Sequence, residues 1–207
     1  MNHLLRDLAP FSPDTWSLID DEAKARLSVA LGARKLVDFS GPLGWEHSAT
    51  SLGRVGPVEA APAEGVIVRS RRVIPLAEVR ADFTLSLEEL VGAGRGAADV
   101  DFAPLDAAAQ RIARLENAAV FDGLAAAGFA GIIDASPHDP VPTGDDPSRL
   151  ALRTAAAIAV LKQAGIGGPY GMALDYDTWV NVHGGSDAGG APLATHLQRL
   201  LEGPTEW

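Results

Sequence analysis

Residues 31–47 (LGARKLVDFSGPLGWEH) constrain the possible folds most, because the sequence changes character on either side of them. The preceding residues have the pattern of a capped amphipathic helix. The following residues are weakly hydrophobic, contain scattered glycine and proline, and are unable to form a compact core alone. We therefore expect a compact body from which an extended arm projects to contact neighbouring molecules.

Local signals within this stretch predict where the chain turns. Gly32 is predicted to close the helix in a left-handed conformation, and residues 34–39 are predicted to form a short strand. Gly41-Pro42 and Gly44 then predict a sharp change of direction.

Charge and composition exclude several classes of protein. The 207 residues are 47% hydrophobic and carry a formal net charge of -10, which disfavours binding to nucleic-acid phosphates. The absence of cysteine excludes disulfides, thiolate metal sites and a cysteine nucleophile. No apolar run approaches the roughly 18 residues that span a membrane, and Arg6 and Asp7 lie where a signal peptide needs an apolar core. We expect a soluble cytoplasmic protein.

The first helix is predicted to begin at Pro13, with Ser12 as its N-cap. Apolar residues then recur every three or four positions, which predicts one apolar face. They are Trp16, Ile19, Ala23, Leu27, Ala30 and Leu31. Packing on the protein's own core is the simpler interpretation, and a wall of a binding groove is the alternative.

A long hairpin is predicted after this region. Its two strand-like runs cover residues 51–58 and 66–74, and turn-forming residues 60–65 lie between them. Two strands alone are marginal in water, so this hairpin needs a partner surface. Its Arg69, Arg71 and Arg72 form either a solvated strand face or ion pairs with another subunit.

Residues 79–88 alternate between apolar and polar side chains, which predicts a strand with one buried face. Residues 92–97 follow and formally match the G-x-G-x-x-G/A pattern of dinucleotide-binding loops. Asp99, Asp101 and Pro104 come next, where a phosphate-binding helix would have to begin. We therefore interpret the glycines as an ordinary flexible loop.

The longest predicted helix covers residues 104–127 and is stopped by Gly128. Its Glu116, Asn117 and Asp122 are interpreted as a solvated face rather than as catalytic carboxylates.

A proline-rich surface loop is predicted over residues 135–148. Asp146 is expected to cap a helix that Pro147 opens and Gly165 stops. Ser136, His138 and Asp139 are neighbours on this loop, but such neighbours rarely have the geometry of a nucleophilic triad.

An apolar strand is predicted over residues 170–174, and it leads into Asp175-Tyr176-Asp177-Thr178. A strand followed by D-x-D-x-T resembles the nucleophile motif of haloacid-dehalogenase-type phosphatases. In that family the first aspartate attacks phosphorus and both carboxylates hold Mg²⁺. Too few residues follow Thr178 for the later motifs, and no lysine occurs after Lys162. Capping of a short helix by one of these aspartates is the simpler interpretation.

Residues 183–190 (HGGSDAGG) predict an exposed, mobile glycine-rich loop, and residues 191–202 predict a final amphipathic helix. His183, Asp187 and His196 are conceivable metal ligands. The flexible loop between them argues against a preorganised site, so no metal centre is predicted. The loop composition also suits a pore rim where several copies converge.

Motifs spread over nearly the whole chain resemble those of the encapsulins, the linocin-type shell proteins of bacterial nanocompartments. They are Leu8-Ala9-Pro10, Trp16 with Ile19, Gly32-Ala33-Arg34-Lys35-Leu36-Val37-Asp38, Gly41-Pro42-Leu43-Gly44-Trp45-Glu46, Pro75-Leu76 with Arg80, Phe83-Thr84-Leu85 and Gly168-Pro169-Tyr170.

The resemblance implies an α+β protein with the HK97 phage major capsid protein fold. Residues 1–47 would form the N-terminal helix and strand of the peripheral domain, and residues 48–75 an extended loop that interlocks neighbours. Residues 76–130 would complete the peripheral domain with its spine helix, and residues 131–207 would form the axial domain. Family members continue past the position of Trp207, which implies that strands completing both domains are missing here.

The resemblance further implies a structural, non-enzymatic protein. It would self-assemble into an icosahedral shell of 60 copies or a multiple, and enclose cargo such as a peroxidase or ferritin-like protein that carries a targeting peptide. Some family members bind flavin through a tryptophan, but the matching residue here is Glu88, so no cofactor is expected. Neither nucleic acid nor membrane is an expected partner.

Two groups of site residues follow from the resemblance. The cargo groove would lie along the first helix and opening strand, with Arg34 and Asp38 as polar contacts and with apolar walls from Ile19, Leu27 and Val37. The residues expected at a pore are His183, Gly184, Gly185, Ser186 and Asp187.

Two alternative functions are a metal-dependent phosphatase that uses Asp175 and Asp177, and a secreted bacteriocin or protease. The sequence has neither an export signal nor an assembled nucleophile that would support the second alternative.

Overall fold

The computed structural model describes residues 4–58, 63–144, 146–187 and 189–207. The chain divides into two compact units. The first comprises residues up to Ser28 and Phe39–Asp134, and the second comprises Val29–Asp38 and Ala135–Trp207. The described helices and strands form a mixed architecture, consistent with the predicted α+β class.

The first unit contains three main helices and two small antiparallel sheets. Its elements are α1 (Pro13–Ala30, whose last two residues belong to the second unit), β1 (Ala49–Val55), β2 (Arg71–Pro75), α2 (Leu87–Gly94), α3 (Ala103–Phe121), β3 (Gly123–Leu124), β4 (Phe129–Ala130) and the short α4 (Ile132–Ala135, whose last residue belongs to the second unit). β1 pairs with β2, and β3 pairs with β4.

The second unit contains three helices and one parallel pair of strands. Its elements are α5 (Leu150–Gln163), β5 (Tyr170–Ala173), α6 (Tyr176–Gly184), α7 (Leu193–Leu201) and β6 (Glu202–Glu206). The described part of this unit also contains the 3-10 turns Ala33–Lys35 and Pro147–Arg149, both before α5. None of the described helices is both long and apolar enough to cross a membrane.

The start of α1 confirms the predicted cap. Ser12 Oγ accepts a hydrogen bond from the Thr15 backbone N–H at 3.3 Å, and Pro13 is the first helical residue. A side-chain oxygen at this position satisfies a backbone donor that has no partner inside the helix. The local sequence therefore determines where α1 begins.

The core of the first unit contains the buried residues Ile19, Leu90 and Leu105. Partly buried apolar side chains pack around them, and they are Phe11, Trp16, Ala23, Leu85 and Phe102. The 3.6-residue period of α1 places Ile19, Trp16 and Ala23 on one face. The predicted apolar face is thus confirmed, and its simpler interpretation as a core-packing face holds for these three residues.

The strand predicted over residues 79–88 is wrong. Residues 76–86 have no regular secondary structure, and α2 begins at Leu87. Alternation makes a sequence suitable for a half-buried strand, but a strand also needs a hydrogen-bonding neighbour. In the described chain, no strand pairs with this segment. The Asp82 carbonyl instead accepts a hydrogen bond from the Arg111 side chain at 3.0 Å.

The predicted helix over residues 104–127 is too long, because α3 ends at Phe121. Gly123 has φ +86°, and a Cβ there would lie 2.7 Å from the backbone nitrogen of Gly131. This close approach permits the β3–β4 pairing, which replaces the last helical turns. Gly128 is left-handed, with φ 72°, but it ends the 3-10 turn Ala125–Ala127 rather than α3 as predicted.

The core of the second unit is formed by Ile158 from α5, Val182 from α6, and Leu197 and Leu201 from α7. Leu197 and Val182 are each 1% exposed. Tyr170 and Met172 of β5 pack against this cluster. The helices therefore cover the β5–β6 sheet, and burial of each large apolar side chain contributes about 1.5–3 kcal/mol.

In the second unit, the sequence predicts the cap before α5 correctly but places both ends of the final helix wrongly. Asp146 Oδ1 accepts the Ser148 backbone N–H at 3.0 Å, which confirms the cap before α5. The final helix was predicted over residues 191–202, but α7 covers Leu193–Leu201. Glu202 has φ +57° and starts β6, a strand that the sequence did not predict.

Candidate functional site

The turn that carries Arg34 is anchored to the last strand. Residues 34–39 do not form the predicted strand, since Ala33–Lys35 is a 3-10 turn. Ala33 is fully buried, and Lys35 Nζ forms a 2.8 Å ion pair with Glu206 Oε2 of β6. These contacts fix the turn that presents the two charged residues predicted for the groove.

Gly32 serves a purpose different from the one predicted. Its φ of -61° and ψ of -39° are right-handed helical values, so it does not close α1 in a left-handed conformation. A Cβ at Gly32 would lie 3.0 Å from the Trp207 carbonyl oxygen, which is tighter than ordinary contact. Glycine therefore permits close approach of two backbone segments.

The five residues predicted for the cargo groove are divided between the two units. Arg34 and Asp38 are exposed and Val37 is half-buried, all in the second unit. Ile19 and Leu27 belong to α1 in the first unit. Ile19 is only 7% exposed and packs in the core, whereas Leu27 is half-buried.

The segment predicted to line a pore is partly helical. His183 and Gly184 form the last residues of α6, so the predicted loop begins too early. The His183 ring stacks on Trp179 with centroids 4.1 Å apart. Gly185 follows in an extended conformation, and Ser186 forms an isolated β-bridge with Pro192.

Asp187 organises the loop between α6 and α7. Its Oδ1 accepts the backbone N–H groups of Gly189 and Ala191, each at 2.8 Å, and its Oδ2 lies 3.1 Å from His196 Nε2. The Ala191 N–H contributes most to lowering the pKa of Asp187, and Gly189 and His196 add to this effect. The loop is held by a charged carboxylate. The sequence had grouped Asp187 with His196 only as conceivable metal ligands, and the structure pairs them directly.

The D-x-D-x-T motif forms a helix cap. Asp175 Oδ1 accepts the Thr178 backbone N–H at 3.0 Å, and its Oδ2 accepts the Thr178 hydroxyl at 2.6 Å. The Thr178 hydroxyl is the largest cause of the lowered pKa of Asp175. Both oxygens of the supposed nucleophile are thus used to start α6, as the simpler interpretation predicted.

The surroundings of this motif give the phosphatase alternative no support. A cavity of about 500 Å³ beside Asp175 is also lined by Asp146 and Arg153. Asp146 is itself a cap, bonded to the backbone and hydroxyl of Ser148. Among the residues that the structure describes, no three His, Cys, Asp or Glu side chains form a metal-binding group.

The glycine pattern after the predicted strand ends a helix instead of starting one. Gly92 and Gly94 lie in the last turn of α2, and the Gly92 carbonyl accepts hydrogen bonds from Arg95 and Ala97. Dinucleotide-binding glycines must precede a helix, because the ligand's phosphates bind at the helix N-terminus. The orientation is therefore opposite to the one that a dinucleotide needs.

The hairpin arm, which we define as residues 48–75, contains the predicted pair of strands. β1 and β2 pair antiparallel, from Ala49 opposite Pro75 to Val55 opposite Arg71, with shorter strands than predicted. Predicted turn residues 60–62 lie outside the described part of the chain. Every strand residue except the half-buried Ala49 is exposed.

Both faces of this hairpin carry apolar and basic side chains. Val73 lies opposite Ser51 on one face, with Val55 nearby, and Val73 and Val55 are 48% and 49% exposed. Arg54 lies opposite Arg72 on the other face. The first face also carries Arg71, opposite Val55, and the second also carries Ile74, opposite Thr50. An extended, exposed sheet with apolar and basic side chains on both faces is typical of a surface that binds another protein.

These features are typical of a structural subunit that assembles through an extended arm. The comparisons with known proteins identify the class, because residues 1–207 match the family model described as Linocin_M18, encapsulating protein for peroxidase. The chain therefore belongs to the encapsulin family, which confirms the resemblance seen in the sequence.

Curated relatives align with almost the full length of this chain. A type 1 encapsulin shell protein of Rhodospirillum rubrum is 43% identical over 216 residues, which include 100% of this chain and 76% of that protein. The proteins with the same description from Mycobacterium tuberculosis and Brevibacterium linens are 37% and 34% identical. These alignments cover 100% and 97% of this chain, and 77% and 75% of the relatives.

Proposed function

We propose that this chain is the subunit of a closed icosahedral shell, built from 60 copies or a multiple, that encloses a cargo enzyme. The main support for this proposal is the exposed hairpin arm. An isolated two-stranded hairpin is marginal in water, so a hairpin with both faces exposed fits contact with neighbouring copies. The name shell protein, shared by relatives at 34% to 43% identity, supports the same function.

Negative-stain electron microscopy and sedimentation velocity of the purified chain test the proposal together. A shell subunit gives uniform hollow particles that sediment as one large species. A chain that stays monomeric at micromolar concentration, with the far-ultraviolet circular dichroism of a folded protein, would contradict it.

The proposed subunit has the HK97 arrangement. Residues 131–207 would surround symmetry axes, and α3 would be the spine of the peripheral domain. In support, α3 is the longest helix of the described chain, with 19 residues and a length of about 28 Å. The shell would lie in the cytoplasm.

The cargo groove is proposed to use Arg34 and Asp38 for polar contacts with a targeting peptide, and Val37 as an apolar wall. Support comes from the anchored turn that contains Arg34 and precedes Asp38, because Ala33 is buried and Lys35 is paired with Glu206. Arg34 and Asp38 are exposed and opposite in charge. Such a pair orients a peptide more than it adds affinity. Leu27 remains a candidate wall, while the burial of Ile19 limits its contact area.

Co-expression with a peroxidase that carries a targeting peptide tests this groove. We expect Arg34→Ala to reduce the amount of co-purified peroxidase several-fold without changing particle yield. Arg199→Ala is the matched control, since Arg199 is an exposed arginine of the same unit. Equal loading of both variants would contradict the assignment.

Residues 183–187 are proposed to line a pore. The loop after α6 supports this, because Asp187 holds its backbone in a defined conformation. Ser186→Trp should slow oxidation of a bulky substrate by enclosed peroxidase more than oxidation of a small one. Equal slowing of the two substrates would argue against a pore at this position.

A further inference from the structure

Two arginines lie directly opposite each other on one face of the hairpin arm. The pairing register places Arg54 across from Arg72, and both residues are exposed. Side chains in directly opposed positions have Cβ atoms about 4.5–5.5 Å apart, so like charges there repel each other. The register follows a bulge in β1 after Ser51, where Gly53 has φ +64°. The bulge therefore aligns two positive charges.

Nothing in the described chain neutralises this pair. The ion pairs that link described residues include neither Arg54 nor Arg72. The arm contains four arginines and two glutamates, although the chain has a formal net charge of -10. The arm is basic while the remainder is strongly acidic, so a second copy of this chain has the complementary charge.

A concave acidic surface lies along α2. An open groove of about 570 Å³ is lined by Glu88, Glu89 and Asp99, with Arg95 as its one basic residue. Glu88 and Asp99 are exposed and form no ion pair within the described residues. Glu89 Oε2 accepts the Asp101 backbone N–H at 3.1 Å. The groove thus contains carboxylates available to an arginine from outside.

We infer that Arg54 and Arg72 of one copy bind the carboxylates of the α2 groove in a second copy. The inference rests on the proposed shell function and assigns one contact within it. A carboxylate placed between two guanidinium groups accepts hydrogen bonds from both and converts their repulsion into attraction. The opposite face, with Val55, Val73 and Arg71, remains available for a separate contact. Copies would then associate through an ion pair that salt weakens.

Charge reversal of the full-length chain tests the contact. Arg72→Glu should lower the amount of assembled protein about tenfold, whereas Arg72→Lys should retain most of it. Arg114→Glu is the control for net charge, because Arg114 is an exposed arginine on α3. Combining Arg72→Glu with Glu88→Arg should restore assembly. Sedimentation velocity measures each result, and circular dichroism verifies that each variant is folded.

Ionic strength provides a second, independent measurement. The Debye length shortens from about 10 Å at 0.1 M salt to about 3 Å at 1 M. The difference between the wild-type chain and Arg72→Glu should therefore shrink several-fold at about 1 M NaCl.

The outcomes separate this inference from the proposed function. If the wild-type chain forms particles but Arg72→Glu and Arg114→Glu assemble equally well, the arginine contact is wrong and the shell function stands. If Arg72→Glu fails and Glu88→Arg does not rescue it, the assignment of the α2 groove is overturned. If the wild-type chain never assembles, the shell function itself is wrong.

Discussion

The β1–β2 and β5–β6 sheets have two strands each, but they are stabilised in different ways. In the second unit, Tyr170 and Met172 of β5 pack against the helical cluster around Leu197. In the hairpin arm, Val55 and Val73 remain about half exposed. The two sheets therefore differ in the burial of their side chains and not in whether their strands are hydrogen-bonded. Helices of the same unit cover one of them, and the other presents its side chains outward.

The largest expected effect tests the covered sheet. Leu197→Ala removes a side chain that is 1% exposed, and we expect the free energy of unfolding to fall by about 2–5 kcal/mol. Val73→Ala, the matched change in the arm, should cost less than about 0.5 kcal/mol in the unassembled chain. Urea unfolding followed by circular dichroism measures both. Similar losses would show that the two sheets are stabilised alike.

A second prediction separates folding from assembly in the arm. Val73→Asp replaces an exposed apolar side chain with a charge, so we expect particle yield to fall at least tenfold. Unfolding of the single chain should change by less than about 0.5 kcal/mol. Gln110→Glu, at an exposed position of α3, is the control for added charge. Normal particles from Val73→Asp would mean that the face with Val73 makes no contact.

A third prediction concerns the cap beside the covered sheet. Asp175→Ala removes both bonds to Thr178 and should lower the midpoint of thermal unfolding by a few degrees, because a backbone donor of α6 loses its partner. Asp177→Ala lies inside the first turn of α6 and should cost less. Thermal unfolding of the two variants compares them. A larger loss for Asp177→Ala would contradict the assigned cap.

The smallest effect concerns the loop that Asp187 holds. Because the folded pKa of Asp187 is below its ordinary value of 3.8, its contribution to stability is present above that value. The contribution is lost as pH falls through the lower, folded pKa. Asp187→Asn should therefore lower stability at neutral pH, where the carboxylate contributes fully, and flatten the stability profile in the acidic range. Hydrogen exchange of the Ala191 amide reports the loop directly, and an unchanged acidic profile would refute this role.

Local sequence signals predicted the parts of the fold that depend on near neighbours. Three side chains, those of Ser12, Asp146 and Asp175, each satisfy a backbone donor within three residues. Each cap therefore depends only on adjacent sequence. The hairpin was also predictable, because turn-forming residues separate two strand-like runs. Its exact register was not, since it depends on the bulge before Arg54.

The sequence by itself determined the family, the caps at Ser12 and Asp146, the arm and the capping role of the D-x-D-x-T motif. The tertiary structure decided the features that depend on distant partners. Residues 79–88 have a strand pattern but no neighbouring strand, and Glu206 meets Lys35 although 171 positions separate them. The alignment of Arg54 with Arg72 likewise appears only once β1 and β2 are paired. Periodicity describes what one segment prefers, whereas pairing and burial depend on which surfaces the folded chain brings together.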